Sequence, residues 1–557
     1  MTRTSVLIAG AGPSGLALAL ALRQNGMSVR VIDKGETYKI GQKGCGIQPR
    51  ILELYKFMGV LPDIQNRGGP VVPFIHHLPN GETKTIDMVT KSEYKPDKPY
   101  VCSFPSRNDP ILLGQDRHEA VLREHLAKYG CEIELGTELV SFEQSADRVV
   151  SHVLKTQGGQ TVEETIESRW LIGSEGARSV VRKTLGLTFL GETRQNENVV
   201  VGDIMIIKPQ LGEVSFTVNS SVPFTDHAKF WHHYGDMTNK SVTIRSSEDP
   251  TVNKYQFFIT GHQLDTTTVA SGREAFIKEF YAISGRTDIE FGELVWISNF
   301  RGAQHADGGQ VRFRASFRSR SPSGGQGLNS GIQDSINLAW KLALVDRRLA
   351  APTLLDTYTQ ERIPVIAAML DKTTDLHNKT FTAGAASTEG WRRGPELYQF
   401  GVNYRGSPIV IDEEGTPESV DPYRSGEGGP LRGGDRAPDA PGLVSVQGEK
   451  TQLFDIFRTS YHTVLIFPGA DLEVKAILDL VKAYPVGTVK SAVILHQNAT
   501  PTADGFPADF VLTDGDGCAR KHYNDRNGIV VVRPDGIVGA LVGGVDGLKQ
   551  YFKGIFL

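Results

Sequence analysis

The run Ser5-Val-Leu-Ile-Ala-Gly10-Ala-Gly12-Pro-Ser-Gly15 constrains this chain more than any other segment. A short apolar stretch enters a glycine turn, continues into an alanine- and leucine-rich stretch through Leu22, and is followed by Ser28-Val-Arg-Val-Ile32 and Asp33. That order predicts strand, turn, helix, strand and acid. Gly10 permits the tight turn, Gly12 lets backbone N–H groups approach a pyrophosphate at the positive helix end, and Gly15 lets the helix lie close to the sheet. Asp33 can accept from a ribose hydroxyl, so the segment fits a dinucleotide. A glycine turn alone is weak evidence, but the acidic spacing and the flanking periodicity argue against an ordinary turn.

Two further blocks agree with this ligand. The first is Gly173-Ser-Glu175-Gly176-Ala-Arg178-Ser-Val-Val-Arg182, and the second is Pro322-Ser-Gly324-Gly325-Gln-Gly327-Leu328-Asn329-Ser-Gly331 with the residues through Lys341. Gly41-Gln-Lys43-Gly44-Cys45-Gly46-Ile-Gln48-Pro49-Arg50 and a segment beginning Gln115-Asp-Arg117-His118-Glu119 complete the set. Together these motifs resemble the class A FAD-dependent aromatic hydroxylases, near the phenol hydroxylase branch, and the resemblance covers nearly the whole chain.

The resemblance implies an α/β fold. An FAD-binding, Rossmann-like domain of the para-hydroxybenzoate hydroxylase type would be interleaved with an antiparallel-sheet substrate domain and followed by a thioredoxin-like domain. FAD would lie extended, its adenine end at Gly10, Gly12, Gly15 and Asp33 and its isoalloxazine near Gly324, Gly325, Gly327, Leu328 and Asn329. Lys43, Gln115, Glu175 and Arg178 would be further cofactor-binding residues. Asn329 would contact the ring or cap the helix, and Arg178 would help hold the pyrophosphate and a transient NADPH or NADH. The implied reaction is hydroxylation of a phenolic or polyketide-type aromatic substrate with NAD(P)H and O2 through a flavin C(4a)-hydroperoxide. The alternatives are a degenerate, non-catalytic flavoprotein-fold protein, or a flavin enzyme of Baeyer–Villiger or epoxidising type.

Composition sets the frame for these domains. At 557 residues the chain exceeds one core, and about two to four domains are expected. A formal net charge of −4, with 39% hydrophobic and 22% charged residues, gives no global basic field for nucleic acid or anionic membrane. Cys45, Cys102, Cys131 and Cys518 show neither CxxC nor metal-ligand spacing, so a reducing compartment and no metal site are expected. The apolar run Leu16 to Leu22 is far below spanning length. A cytoplasmic protein with no membrane partner is expected.

Periodicity then divides the chain. Residues 1–375 read as the FAD-binding domain, with the substrate domain interleaved at about 70–110 and 190–300, where alternating runs such as Asn198–Ile207 and Lys254–Thr260 predict a mostly antiparallel sheet. Residues 376–424 read as a helical connection and linker. The glycine- and proline-dense stretch Asp421–Gly442 predicts an exposed connection, and 425–557 alternates strands and helices. The last region resembles the thioredoxin-like domain of phenol hydroxylases but lacks CxxC. That implies a role in homodimer formation or stability rather than disulfide exchange.

The departures from the family pattern are localised. Where relatives carry a glycine-aspartate pair that binds the FAD ribityl chain, this sequence reads Gln310-Val-Arg-Phe-Arg314-Ala315, and the stretch from Arg301 to Arg320 inclusive carries five arginines. Residues 302–321 are therefore a gene-model artefact, the mark of a degenerate paralogue, or a remodelled ribityl site. Loss of a charge-assisted hydrogen bond to ribityl would cost about 1.5–3 kcal/mol. Glu175 replaces an aspartate, and Cys45 stands where phenol hydroxylases carry an aspartate near the substrate hydroxyl. No catalytic base is assigned; His76, His77, His232, His233 and Tyr234 fall in pocket-forming regions.

Overall fold

A computed structural model describes residues 2–78, 80–86, 110–187, 190–193, 199–208, 230–236, 238–249, 252–300, 303–306, 326–382, 395–415, 421–423, 430–497, 499, 506–523 and 528–557. Gly324, Gly325, Cys102 and nearly all of 302–321 lie outside these residues. Of the abnormal segment only Ala303–Ala306 is described, as a strand antiparallel to Leu190–Thr193.

The first sheet has six strands, ordered Ile133–Glu134, Val29–Ile32, Thr2–Ala9, Gln160–Gly173, Val149–Gln157, Thr137–Gln144. Thr2–Ala9 is parallel to both neighbours, as a strand-helix-strand crossover requires. The crossover helix Pro13–Gln24 buries every residue from Gly15 to Leu22. It is covered all round because the helices Gln115–Ala127 and Gln326–Asp346 pack against it. Gly331 permits the closer of these approaches: a Cβ there would sit 2.2 Å from Ser14 Oγ, and Ser335 Oγ donates to Ser14 O at 2.9 Å.

The second sheet has seven strands, ordered Glu290–Phe300, Val199–Lys208, Lys254–Thr260, Lys240–Ser246, Trp231–Asp236, Phe74–His77, Thr83–Ile86. Its pairings are antiparallel except that of Trp231–Asp236 with Phe74–His77. One face packs Val200, Ile204, Phe257 and Ile259 against Phe276 and Phe280 of the helix Arg273–Ser284. The opposite face meets the loop around Gln42.

An eight-stranded sheet closes the chain, with parallel neighbours His462–Phe467, Val489–Leu495 and Phe510–Asp514 at its centre. Its edge strand Ile411–Asp412 pairs with Ala540 and Leu541, upstream of the division drawn at residue 425, and the helix Asp356–Thr382 runs through the division drawn at 375. The stretch expected to be an exposed connection is largely interior over its described part: Asp435, Arg436, Ala437 and Ala440 are buried. Glycine there serves close packing rather than mobility. Gly434 has φ +90°, and a Cβ on it would meet Arg405 N at 2.4 Å. Its amide donates to Val538 O and its carbonyl accepts from Tyr404 N, so the buried backbone is satisfied.

A buried ionic cluster joins this last sheet to the helices Gln326–Asp346 and Asp356–Thr382. Glu361 accepts from Lys341 Nζ at 2.6 Å, from both terminal nitrogens of Arg533 at 2.7 and 2.8 Å, from Asn337 Nδ2 at 2.7 Å and from Ser407 Oγ at 2.6 Å. Nearby, Glu53 accepts from Arg50 and Arg436, both at 2.7 Å. Among the described residues, no helix is long and apolar enough to cross a membrane, and no cluster of histidine, cysteine, aspartate and glutamate side chains is arranged to hold a metal ion.

Candidate cofactor and substrate site

The three glycines of the first turn have different physical reasons. Gly10 has φ +106°, and a Cβ there would lie 2.5 Å from Ser174 O; a Cβ on Gly15 would lie 2.2 Å from Gly10 O. Both are demanded by the protein's own packing. A Cβ on Gly12 would meet nothing within 4 Å, so the protein alone gives no reason for glycine there. The helix N-terminus opens onto free space at that position, which is the space a pyrophosphate needs. Asp33 Oδ2 accepts from Ala11 N and Oδ1 from Gly35 N, both at 2.9 Å, with Lys39 Nζ at 3.4 Å. Burial alone would raise its pKa, but these amides and Lys39 hold it below the usual carboxylate value.

Several other expected residues are engaged within the protein. Glu175 accepts from Ser179 Oγ at 2.5 Å and Val180 N at 2.9 Å, capping the turn Val180–Thr184, while Arg178 is exposed on the preceding 3-10 turn. Gln115 Nε2 donates to Glu119 Oε1 at 2.7 Å; burial pushes that carboxyl up to about 7. Asn329 clips the Gly46–Gln48 loop to the helix Gln326–Asp346, accepting from Gln48 N at 2.8 Å and donating to Gly46 O at 2.9 Å. Gly327 and Leu328, immediately before it on the helix, are half-buried, and Lys43 is exposed with its ammonium 5.9 Å from the Trp296 ring.

Sequence reasoning missed the polar knot that fastens this loop to the second sheet. Asp203, Gln256 and Arg245 are direct neighbours across three strands. Asp203 accepts from Gln42 N at 2.9 Å and Gln42 Nε2 at 3.2 Å, Gln256 Nε2 donates to Gln42 O at 2.8 Å, and Arg245 Nη2 donates to Gln42 Oε1 at 3.3 Å. Glu248 receives both Arg245 and Arg117. The available signal was one acid inside the apolar run Val199–Ile207, since a charge in a buried strand requires partners.

Register extends the knot into an ordered surface. One cross-sheet row holds Trp296, Asp203, Gln256, Arg245, Trp231 and Phe74; two residues along, on the same face, lie Val201, Phe258, Thr243, His233 and His76. Phe74 stacks on Trp231 at 5.7 Å, and His233 Nδ1 and Thr243 Oγ1 are 2.8 Å apart. His76 Nε2 is 3.2 Å from Gly235 O, which fixes Nε2 as the protonated nitrogen. Burial lowers His76 and drives His233 down to about 3, so both imidazoles are neutral at pH 7. Tyr234, His77 and His232 fall on the opposite face: Tyr234 packs in the helix-side core, His77 stacks on it at 4.2 Å, and His232 Nδ1 is 3.1 Å from His77 Nε2.

Asp203 gives this face a pH signature. Burial pushes its carboxyl up to about 6 against the Gln42 amide and Lys254, which act in the opposite direction. A folded pKa above the ordinary value means the folded state holds the proton more tightly, so stability falls as pH rises from about 4 to 6 and stays lower above. Asp203→Asn should therefore gain stability relative to the parent by about 2–3 kcal/mol between pH 4 and pH 8. Parallel pH profiles of urea unfolding for the two proteins would contradict this.

Comparison with known proteins places the chain. The pattern of the FAD-binding-domain family matches residues 3–373. A flavin-dependent monooxygenase of Mycobacteroides abscessus is 31% identical over 550 residues, covering 96% of this chain and 97% of that one. The chain belongs to this FAD-binding family of flavin-dependent monooxygenases. The pentachlorophenol 4-monooxygenase of Sphingobium chlorophenolicum is 26% identical over 564 residues, covering 97% and 94%. The solved structure of the flavin-dependent monooxygenase PieE with FAD and substrate superposes with a TM-score of 0.77 at 20% identity, covering 99% of each chain. FAD is thus the cofactor of this monooxygenase, NAD(P)H is the usual reductant of its family, and its architecture is of the para-hydroxybenzoate hydroxylase type.

Cys518 adds no redox centre. Its thiol lies 3.5 Å from His522 Nε2, and burial together with Asp514, Asp439 and Asp516 pushes it up to about 11, far from a reactive thiolate.

Proposed function

We propose that this monooxygenase hydroxylates a phenolic or polyketide-type aromatic ring held against the face that carries Phe74, Trp231, Phe258, His76 and His233. The observation that carries the reading is the knot at Gln42, which fixes that aromatic and imidazole-bearing face to the flavin-side loop. Gly12, Asp33, Lys43, Arg178, Gly327 and Leu328 would hold FAD, with Gln115, Glu175 and Asn329 shaping the backbone around it. Gly324 and Gly325 keep the place the family pattern gives them. Bound FAD, reduced by NAD(P)H, supplies the activation of oxygen.

The chain's own contribution is binding, orientation and exclusion of water. Phe74, Trp231 and Phe258 offer ring surfaces that favour an aromatic substrate in offset or edge contact. Neutral His76 and His233 can accept a hydrogen bond from a phenolic hydroxyl, whereas Cys45, whose thiol is pushed up by burial, offers no thiolate for it. The last region, joined through Glu361 and Glu53 to helices that pack beside the first sheet, would serve stability, which accords with the inert Cys518.

The test is direct. The purified protein should be yellow, and its NADPH or NADH oxidation should rise when a phenol is added, with a hydroxylated product. Flavin-loaded protein whose NAD(P)H oxidation no phenolic or polyketide-type aromatic stimulates would overturn the substrate assignment.

A further inference from the structure

Gln399 is one of two non-glycine residues with positive φ among the described residues, at +64°. Glutamine rarely adopts this left-handed conformation, which glycine and asparagine tolerate far better. The residue is nevertheless buried, and its side-chain amide is engaged at both its nitrogen and its oxygen. Gln399 Nε2 donates to Gln326 Oε1 at 2.6 Å, and Gln399 Oε1 accepts from Gln333 Nε2 at 2.7 Å. Gln326 and Gln333 lie two turns apart on one side of the helix Gln326–Asp346, so a single amide spans the part of that helix nearest the glycine block.

The surrounding contacts continue the same lacing. Gln326 Nε2 donates to Leu397 O at 3.2 Å, and Tyr423 Oη donates to Gln326 Oε1 at 3.4 Å. Arg362 reaches Asp334 at 2.6 Å and Tyr404 Oη at 2.9 Å. A packing role would be met by an apolar side chain in a relaxed backbone; the left-handed glutamine instead supplies one donor and one acceptor at a fixed spacing. Backbone strain retained where the surroundings over-determine it is characteristic of sites whose geometry matters.

We propose that Gln399 is a positioning residue: it sets the axial position of the first two turns of the Gln326 helix, and thereby the backbone amides that face the flavin's pyrimidine side. The inference rests on the placement of FAD at Gly327 given under Proposed function. The flavin's reduction potential responds to the alignment of those amides because they favour the negative charge of the reduced ring. The contacts of the Gln399 amide run to the helix, so its effect would pass through Gln326 and Gln333.

The test uses the FAD-loaded full chain and Gln399→Gly, which keeps the left-handed backbone while removing both amide bonds. Expected are near-stoichiometric FAD, a reduction potential more negative than the parent's, and a several-fold fall in hydroxylated product per NAD(P)H consumed. Gln399→Asn, which tolerates the conformation and is one methylene short, should fall between the two. A changed melting temperature with unchanged potential and coupling would show a merely structural residue and overturn the proposal. Gly327→Val separates the two readings. If it leaves FAD binding and potential unaltered, the placement of FAD at this helix is wrong and the proposal falls with it; if it perturbs them while Gln399→Gly does not, only the proposal falls.

Discussion

Replacing Glu361 by leucine is expected to destabilise the protein by about 3–5 kcal/mol, enough to shift the unfolding midpoint far outside experimental scatter. The carboxylate is fully buried, and although burial alone would raise its pKa, Arg533 and Lys341 hold it far below the usual range. Leucine fills similar space but leaves Lys341 without its ion-pair partner and Arg533 with Asp535 alone. Burial already lowers Lys341 to about 8, so part of the penalty is relieved by loss of its proton. The side chains of Asn337 and Ser407 each lose an acceptor as well. Urea unfolding monitored by intrinsic fluorescence measures the effect; a loss below about 1 kcal/mol, the scale of an exposed ion pair, would show that water reaches this seam.

This cluster also shows where the sequence is silent. Its members come from positions 337 to 535, and no local pattern announces that Lys341, in an apolar helix, and Arg533, before a proline, will meet over one carboxylate. The same holds for Gln42, Asp203, Arg245 and Gln256, which are joined only by the register of three strands. Local features were legible because their cause is local: the turn at Gly10, the alternation in Lys254–Thr260, and the strand Val199–Lys208 found one residue along from its predicted span. Candidate histidines could be named but not assigned to faces. Whether His76 or His77 lies on the face that meets the Gln42 loop depends on pairing with Trp231–Asp236, and a one-residue slip would exchange them.

The glycine-rich stretch through Gly442 failed as a predictor of exposure for a related reason. Glycine and proline report backbone geometry, and that geometry serves a tight interior crossing as readily as a surface loop. What decides is whether the backbone finds partners, as Gly434 does in Val538 and Tyr404. Asn329 stood between ring contact and helix cap in the sequence, and its observed partners, Gln48 N and Gly46 O, lie some 280 residues away.

The first turn separates folding from ligand binding within three residues. Gly12→Val and Gly15→Val are chemically identical changes, yet opposite outcomes are expected. At Gly15 the new Cβ would sit 2.2 Å from Gly10 O and 2.6 Å from Ser174 Oγ, so the fingerprint helix must leave the sheet it packs on. That helix is buried from Gly15 to Leu22, and its displacement should cost at least about 3 kcal/mol, the upper end of overpacking, and yield little folded protein. At Gly12 the Cβ meets nothing within 4 Å, and its φ of −77° is open to any residue, so the variant should fold with nearly the parent's melting temperature in the flavin-free state. The isopropyl group would instead occupy the approach of the pyrophosphate to the helix amides and weaken FAD binding on the order of a hundredfold, about 2.7 kcal/mol. Flavin content after purification and FAD titration of the stripped proteins measure this. A Gly12→Val protein that retained as much flavin as its parent would show that the open space beside Gly12 is not where FAD lies.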